Sequence, residues 1–360
     1  VKVAITHPYC WPEVRRGAER IIVEMARALS SRGHRVTVIT SGWQPGRDHD
    51  NGFTLVRVRR IFNTPDRHER WFAGRAVPYL LLGGYDVVHS IFPRDCVAAI
   101  RTKKLRRHRT VYEEMGLPYN HWWDNMLDGP TRRRVARDVD VYGCMSQFAR
   151  DVLLRESGRA GVLIPGGVRM SEFRPASERD SRPTVLFSGA MYEERKGLAV
   201  LLEALALVAE SRPDVQLWLS GEGDPTPYLD AAPAAARQRT TVLPLGEPNA
   251  IAERYGRAWA TVLPSTDDSF GMVLLESLAC GTPIVVADHS APPELVTKAT
   301  GALCEPGNAP SLAGAIHEAL VLAADSSTTE RCRSFAQRYD WDDAIAPLLE
   351  RIYAGSGRDE

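Results

Sequence analysis

The sequence is short of lysine, paired cysteines, net charge and long apolar runs, and each shortage bears on what it can do. Lysine occurs only five times among 45 basic residues; this arginine bias reads as a trace of a GC-rich genome rather than of function. The 45 basic residues are matched by 45 acidic ones, so there is no general positive field of the kind that holds nucleic acid, although a local basic patch is left open. The six cysteines, Cys10, Cys96, Cys144, Cys280, Cys304 and Cys332, include no C-x-x-C pair and no zinc-ligand spacing. Scattered single thiols in a chain of 360 residues read as buried and reduced, which gives the expectation of a cytoplasmic protein. The chain opens directly on a strand-like run, VKVAITHPY, without a signal-peptide pattern. Its longest apolar candidate, AVPYLLLGGYDVVHSIF, is interrupted by Pro78, Gly83, Gly84 and Asp86 and is too short to cross a bilayer. The one low-complexity stretch is the polar end GSGRDE, expected to be disordered.

What remains is an ordinary globular composition, 44% hydrophobic and 25% charged, long enough for two domains. Short β-branched runs alternate with helix-period segments. In the first half the strand-like runs are 1–6, 35–41, 53–59, 86–91, 109–113, 140–145 and 162–165. Between the first two, Ile21, Ile22, Met25, Ala28 and Leu29 recur at helical spacing and Gly33 ends the segment, which makes a βαβ unit. The alternation restarts at RPTVLFSGA, with a helix expected over 196–211 and further strands in VQLWLSGEG, TTVLPLG, ATVLPS and TPIVVAD. Residues 165–183, rich in Gly, Pro and Ser, read as the linker. The expected fold is α/β, two doubly wound domains. Ligands of such sheets bind beyond the carboxyl ends of the strands, so motifs at strand ends carry the most weight.

Two strand ends stand out. SGAMYEERKG, residues 188–197, follows a buried strand and is expected to open a helix. Helix amides together with Arg195 and Lys196 suit a phosphate. The alternative is a solvated basic pair. In DDSFGMVLLESLACGTPIVVAD, residues 267–288, Asp268 falls in a loop after a strand, and Glu276, eight positions later, falls on an apolar helix. A carboxylate in such surroundings needs partners, and sugar or ribose hydroxyls would serve because an ionised carboxylate only accepts hydrogen bonds. The alternative is a glutamate at the helix edge paired with an arginine.

The same stretch resembles the E-x7-E segment of the family 4 retaining glycosyltransferases of GT-B fold. GAERIIVEMARALSSRGHRVTVITS is similar to their N-terminal segment, VLIPGGVRMSEFRP to their interdomain segment and YDWDDAIAPLLERIY to their C-terminal helix. The resemblance runs over nearly the whole chain. It implies two Rossmann-like domains facing a cleft: residues 1–168 for the acceptor, 169–338 for a nucleotide sugar, a helix at 339–354 returning to the first domain, and a tail at 355–360. It implies Glu276 on the ribose and Asp268 on the donor sugar. Phe270, Gly271, Met272 and Val273 would offer amides to sugar and diphosphate, Lys196 with Gly189 and Arg195 would serve the phosphates, and Gly17 with Arg16 would lie near the β-phosphate.

Four departures qualify that resemblance. Asp268 stands where the family usually has Glu and reaches about 1.5 Å less far, so a different donor sugar is left open. Ala190 stands where the family often has Arg, with Arg195 able to supply charge. Arg16-Gly17 replaces Gly-Gly. Glu113 and Glu114 follow the strand RTVYEEMG where many members have His; a place in the cleft or on the surface is equally open.

The function implied is a retaining, metal-independent glycosyltransferase using a nucleoside diphosphate sugar, with no cofactor and a small-molecule or glycan acceptor. The alternatives are a sugar-nucleotide epimerase of the same architecture or a non-catalytic nucleotide-sugar-binding protein. Acceptor contacts are expected from His7, Glu113, Glu114, Trp122 and Trp123, with core packing the alternative for the tryptophans. The basic run RTKKLRRHR, 101–109, is either a solvated helix face or a weak contact for the inner face of a membrane. Asp138 and Asp140 form a D-x-D string ahead of a strand, in the wrong place for a metal.

Overall fold

The computed structural model describes every residue except Pro12, Arg15, Arg16, Asn51, Glu247 and 356–360, and leaves the side chains of Asp50, Asn120 and Pro248 undescribed. Arg16 and all of the expected tail but Gly355 therefore lie outside the described residues. The chain forms two compact units, Val1–Gly167 together with the segment from Trp341 onward, and Val168–Asp340.

The first unit is built on eight strands: β1 Lys2–Thr6, β2 Arg35–Gly42, β3 Gly46–Asp50, β4 Phe53–Arg59, β5 Val87–Ser90, β6 Arg109–Glu114, β7 Val141–Cys144 and β8 Val162–Leu163. Their order is β3-β4-β2-β1-β5-β6-β7-β8. All neighbours are parallel except β3, which runs antiparallel to β4. β1 is central, and Val3, Ala4 and Ile5 are fully buried because helices cover both faces of a parallel sheet. The helix Gly17–Ser31 buries Ile21, Ile22, Met25, Ala26, Ala28 and Leu29. Gly33, at φ +87°, stops it in a conformation that side chains resist.

The second unit has six parallel strands: β9 Thr184–Ser188, β10 Gln216–Ser220, β11 Thr240–Val242, β12 Ala260–Leu263, β13 Ile284–Ala287 and β14 Gly301–Cys304. Their order is β11-β10-β9-β12-β13-β14. The chain leaves β9 for β10 on one side and later returns to add β12 on the other. Such a reversal parts the two connecting loops and opens a crevice at the carboxyl ends of β9 and β12.

Two sequence expectations need correction. The change of unit at Gly167–Val168 falls inside the expected linker 165–183, but the rest of that segment is packed: Met170 and Phe173 are buried, and the Arg179 guanidinium donates to the carbonyls of Ala258 (2.6 Å) and Gly281 (2.9 Å) and to Thr282 Oγ1 (3.0 Å). Turn residues there shape a packed segment of the second unit. The helix expected over 196–211 is broken, with a 3-10 turn at Glu194–Lys196, Gly197 at φ +76°, and the α-helix only from Leu198 to Ser211. The C-terminal segment begins as a π-turn, Trp341–Ile345, and continues as the helix Ala346–Ala354. Among the described residues no helix is long and apolar enough to cross a membrane.

Candidate donor site at the strand reversal of the second unit

The loop leaving β9 is held against its neighbours by backbone contact. Gly189 N donates to Ser220 O (3.0 Å), and Met191 N donates to Glu222 O (2.8 Å). A Cβ on Gly221 would stand 1.8 Å from Gly189 O, so this approach needs glycine. Further on, a Cβ on Gly197 would meet Pro264 O at 2.5 Å, and Thr266 N donates to Arg195 O (2.9 Å). The loops after β9 and β12 are thus tied together across the reversal.

That tie brings Lys196 and Asp268 together. Lys196 Nζ donates to Asp268 Oδ2 at 2.5 Å, and each side chain keeps slightly over a tenth of its surface exposed. Asp268 is oriented from a third loop: its amide donates to Ser290 Oγ (3.2 Å), and Ala291 N donates to its carbonyl (3.3 Å). Ser290 adopts a left-handed backbone (φ +58°), a cost for a non-glycine residue that places its hydroxyl under Asp268. Phe270 N lies 3.4 Å from Asp268 Oδ1, closing a side-chain turn. Phe270 is buried with its ring edge-on to Tyr339 (5.8 Å). Gly271, at φ +96°, caps the helix Met272–Ala279, so Met272 and Val273 lie in its first turn. Glu276 lies on the same helix, 4% exposed.

Arg195 is already engaged, donating to Asp267 O and pairing with Glu193. The cation nearest Asp268 among these residues is Lys196, not Arg195. The arrangement offers one ammonium, one carboxylate with a second oxygen, and the start of a helix, all at a strand reversal. Such a set can neutralise a phosphate and accept from sugar hydroxyls.

The first unit is different. Gly17 opens a helix there, and a Cβ on it would meet nothing within 4 Å. His7 is buried at the end of β1, with Nδ1 2.9 Å from Tyr9 O. Three more of the expected acceptor residues, Glu113, Glu114 and Trp123, are buried. Glu113 is 1% exposed and faces His89 at ion-pair distance (3.0 Å) without hydrogen-bond alignment, and His89 Nδ1 meets the Tyr353 hydroxyl at 2.8 Å. Glu114 accepts from Arg132 (2.7 Å), Tyr112 (2.9 Å) and Tyr142 (3.3 Å). Both are buried acids with partners inside the first unit, not a pair of surface acids. Trp123 packs in the core with Tyr112, Val135 and Tyr142 and donates to Pro118 O (2.8 Å). Trp122 keeps part of its surface, its ring 4.2 Å from the Arg132 guanidinium.

Asp138 pairs with Arg137 (2.7 Å) and Asp140 with Thr110 (2.9 Å), so the D-x-D string is spent on structure. Among the described residues no group of three or more His, Cys, Asp or Glu is placed to hold a metal. A groove of about 810 Å³ lined by Thr297, Leu303, His317 and Val321 sits beside β14 and carries none of these site residues. The sequence did not single out Ser220, Arg254 or Ser290, because each stands alone in its local pattern and gains meaning only from neighbours distant in the chain.

Residues 15–172 match the family described as Glycosyltransferase Family 4, and residues 182–321 match Glycosyl transferases group 1. A phosphatidyl-myo-inositol mannosyltransferase of Mycobacterium tuberculosis is 27% identical, with 99% of this chain and 98% of that protein covered. A GDP-mannose-dependent alpha-(1-6)-phosphatidylinositol dimannoside mannosyltransferase of the same species is 28% identical over 61% of this chain and 59% of its own length. Among solved structures, the sucrose-phosphate synthase of Thermosynechococcus elongatus superposes with a TM-score of 0.85 at 20% identity, covering 98% of each chain, which is a likeness of fold.

Proposed function

We propose that this chain, which belongs to the family 4 glycosyltransferases of GT-B fold, works with retention and without a metal or other cofactor, moving a sugar from a nucleoside diphosphate sugar to an acceptor hydroxyl. The observation that carries the proposal is the Lys196–Asp268 pair at the strand reversal of the second unit, with Glu276 on the adjoining helix. Breaking the bond between the anomeric carbon and the diphosphate leaves growing negative charge on the phosphate. Lys196 is the ammonium positioned to meet that charge, which a preorganised site stabilises better than water does. Asp268 would exchange its ion pair for a sugar hydroxyl, and Glu276 would accept from the ribose. The names of the relatives make GDP-mannose the first donor to try. Asp268, one methylene shorter than the family's usual Glu, is the reason to keep a panel of donors beside it.

The reaction is placed in the cytoplasm, with weak contact at the inner face of a membrane. The exposed Arg101, Lys104, Arg106 and Arg107 around Leu105, itself 75% exposed, support that contact. The test of the central claim is Lys196→Ala. It should lower kcat/KM by roughly 10²–10³, the scale of losing one charge-stabilising donor, with an unchanged circular dichroism spectrum. Activity retained in that variant would remove the phosphate role.

A further inference from the structure

The donor site proposed above is short of positive charge. A nucleoside diphosphate sugar carries one negative charge on each of its phosphates. Lys196 is one cation and already faces Asp268, while Arg195 is engaged by Glu193 and by Asp267 O. Another cation stands at the neighbouring strand end, on the helix Pro248–Arg257 between β11 and β12. Arg254 Nη1 donates to Ser220 Oγ at 2.9 Å, and Ser220, which ends β10, is buried. The carbonyl of the same serine takes the amide of Gly189 (3.0 Å), where the loop to Lys196 begins. On the same helix, the Tyr255 hydroxyl donates to Ser188 Oγ (3.0 Å) at the end of β9.

Arg254 is held in place without having its charge cancelled. It pairs with no carboxylate among the described residues, whereas Arg257 on the same helix takes Asp180 (3.1 Å) and Glu253 (3.8 Å). A Cβ on Gly246 would stand 3.1 Å from Arg254 Cζ and Nη2 and 3.2 Å from Nη1. The guanidinium thus lies face-on to the backbone after β11, and the glycine leaves it room. Nε and Nη2 make no hydrogen bond among the described residues, and neither is sealed from solvent. The residue as a whole is half-buried. A guanidinium fixed by one hydroxyl and one backbone face, with an edge of two donors left over, matches the paired oxygens of a phosphate.

We propose that Arg254 is the second phosphate-binding cation of the donor site. The loop after β9 offers no such charge at Ala190, so the charge comes from the helix before β12, across Ser220. This rests on the glycosyltransferase function proposed above and adds a residue to its donor site. Lys196 and Arg254 together balance the two phosphates, and the charge that grows on the diphosphate as the bond to the anomeric carbon breaks is shared between them. Were Arg254 only a brace for β10, its charge would be immaterial and the Ser220 hydroxyl would be all that it serves.

The test is calorimetric titration of the full chain with GDP and UDP, with guanosine and uridine binding followed by saturation-transfer NMR. Arg254→Ala should weaken whichever diphosphate the unaltered chain binds by about tenfold or more, and leave the matching nucleoside within about twofold, the pattern of a lost hydrogen bond to a charged group. Undiminished nucleoside binding guards against misfolding. Arg254→Lys should keep part of the diphosphate affinity, because the charge survives and the fork does not. Ser220→Ala, which removes the brace and keeps the guanidinium, should cost less diphosphate affinity than Arg254→Ala does. Unchanged diphosphate affinity in Arg254→Ala, nucleoside affinity falling in step with it, or an equal loss in Ser220→Ala would each overturn the assignment. Binding of neither diphosphate by the unaltered chain, or affinity unmoved in Lys196→Ala, would instead strike the donor site itself, so the two failures stay distinct.

Discussion

Asp95 lies in the first turn of the helix Pro93–Arg106, fully buried, with neither carboxyl oxygen hydrogen-bonded among the described residues. Burial, followed by the nearby charge of Glu69, pushes its pKa well above the usual carboxylate range. A carboxyl group whose folded pKa is raised binds more protons folded than unfolded, so raising the pH above its unfolded value near 4 takes stability away. Asp95→Asn removes that loss. The variant should match the parent in Tm near pH 4 and exceed it by roughly 2–4 °C at pH 8, as differential scanning fluorimetry across that range would show. Single residues also mark how far the sequence could be read. Lys196 and Asp268 could be singled out because each sits in a run of recognisable order after a strand, and the structure pairs them; Glu276 could be singled out as an acid on an otherwise apolar helix. The partners of Glu113 and Glu114 were hidden because strand alternation says which face a side chain takes, not what stands opposite; His89, Arg132 and Tyr353 come from other parts of the chain. Trp123 took the core packing that the sequence left open as the alternative.

Among whole elements, the apolar strands were legible and the polar edge was not. β3 is GRDHD, with no apolar alternation to announce it, and it is held to β4 by antiparallel pairing. Its charges suit an edge, where they discourage pairing with another chain. The break at Gly197 was hidden for the opposite reason: helix-forming residues lie on both sides, and only the approach to Pro264 shows why the chain must turn. The helix Ala346–Ala354 is fastened by Glu350, which accepts from Arg32 Nε and Nη2, both at 2.9 Å, and lies 2.8 Å from His34 Nε2. The Arg32 hydrogen bonds hold the Glu350 carboxyl down at about 2. A depressed carboxylate contributes stability above its unfolded pKa near 4.5 and loses that contribution as pH falls toward 2. With both partners about a third exposed, solvent screening limits the contribution to about 1 kcal/mol. Urea melts of Glu350→Gln should show that deficit at pH 7, shrinking as the pH is lowered from 5 to 3.

Across the whole molecule, the chain changes unit at Gly167 and again at Trp341. Within the first unit these residues meet, since a Cβ on Gly167 would stand 2.6 Å from the Trp341 ring. Trp341 is 2% exposed, and its removal would leave a cavity where the first unit closes. Trp341→Ala should cost the first unit about 3–5 kcal/mol in denaturant melts, while binding of GDP, the nucleotide proposed above for the second unit, stays within twofold by calorimetry. A large loss of nucleotide affinity would contradict the assignment of separate cores to the two units. The two-domain plan was legible because βαβ alternation repeats, and the expected boundaries after 168 and 338 fall within two residues of the observed changes of unit; the packing of 168–183 was not legible, because packed and free turn-rich segments have the same composition.

Gly197 against Pro264, and the bond from Thr266 to Arg195, fasten together the two loops of the proposed donor site. Little of the grip on a nucleotide sugar is then lost to freezing wandering chain, and affinity depends on the quality of the contacts themselves. If these loops form the donor site proposed above, loosening that clasp should weaken every donor alike and leave the preference among sugars unchanged.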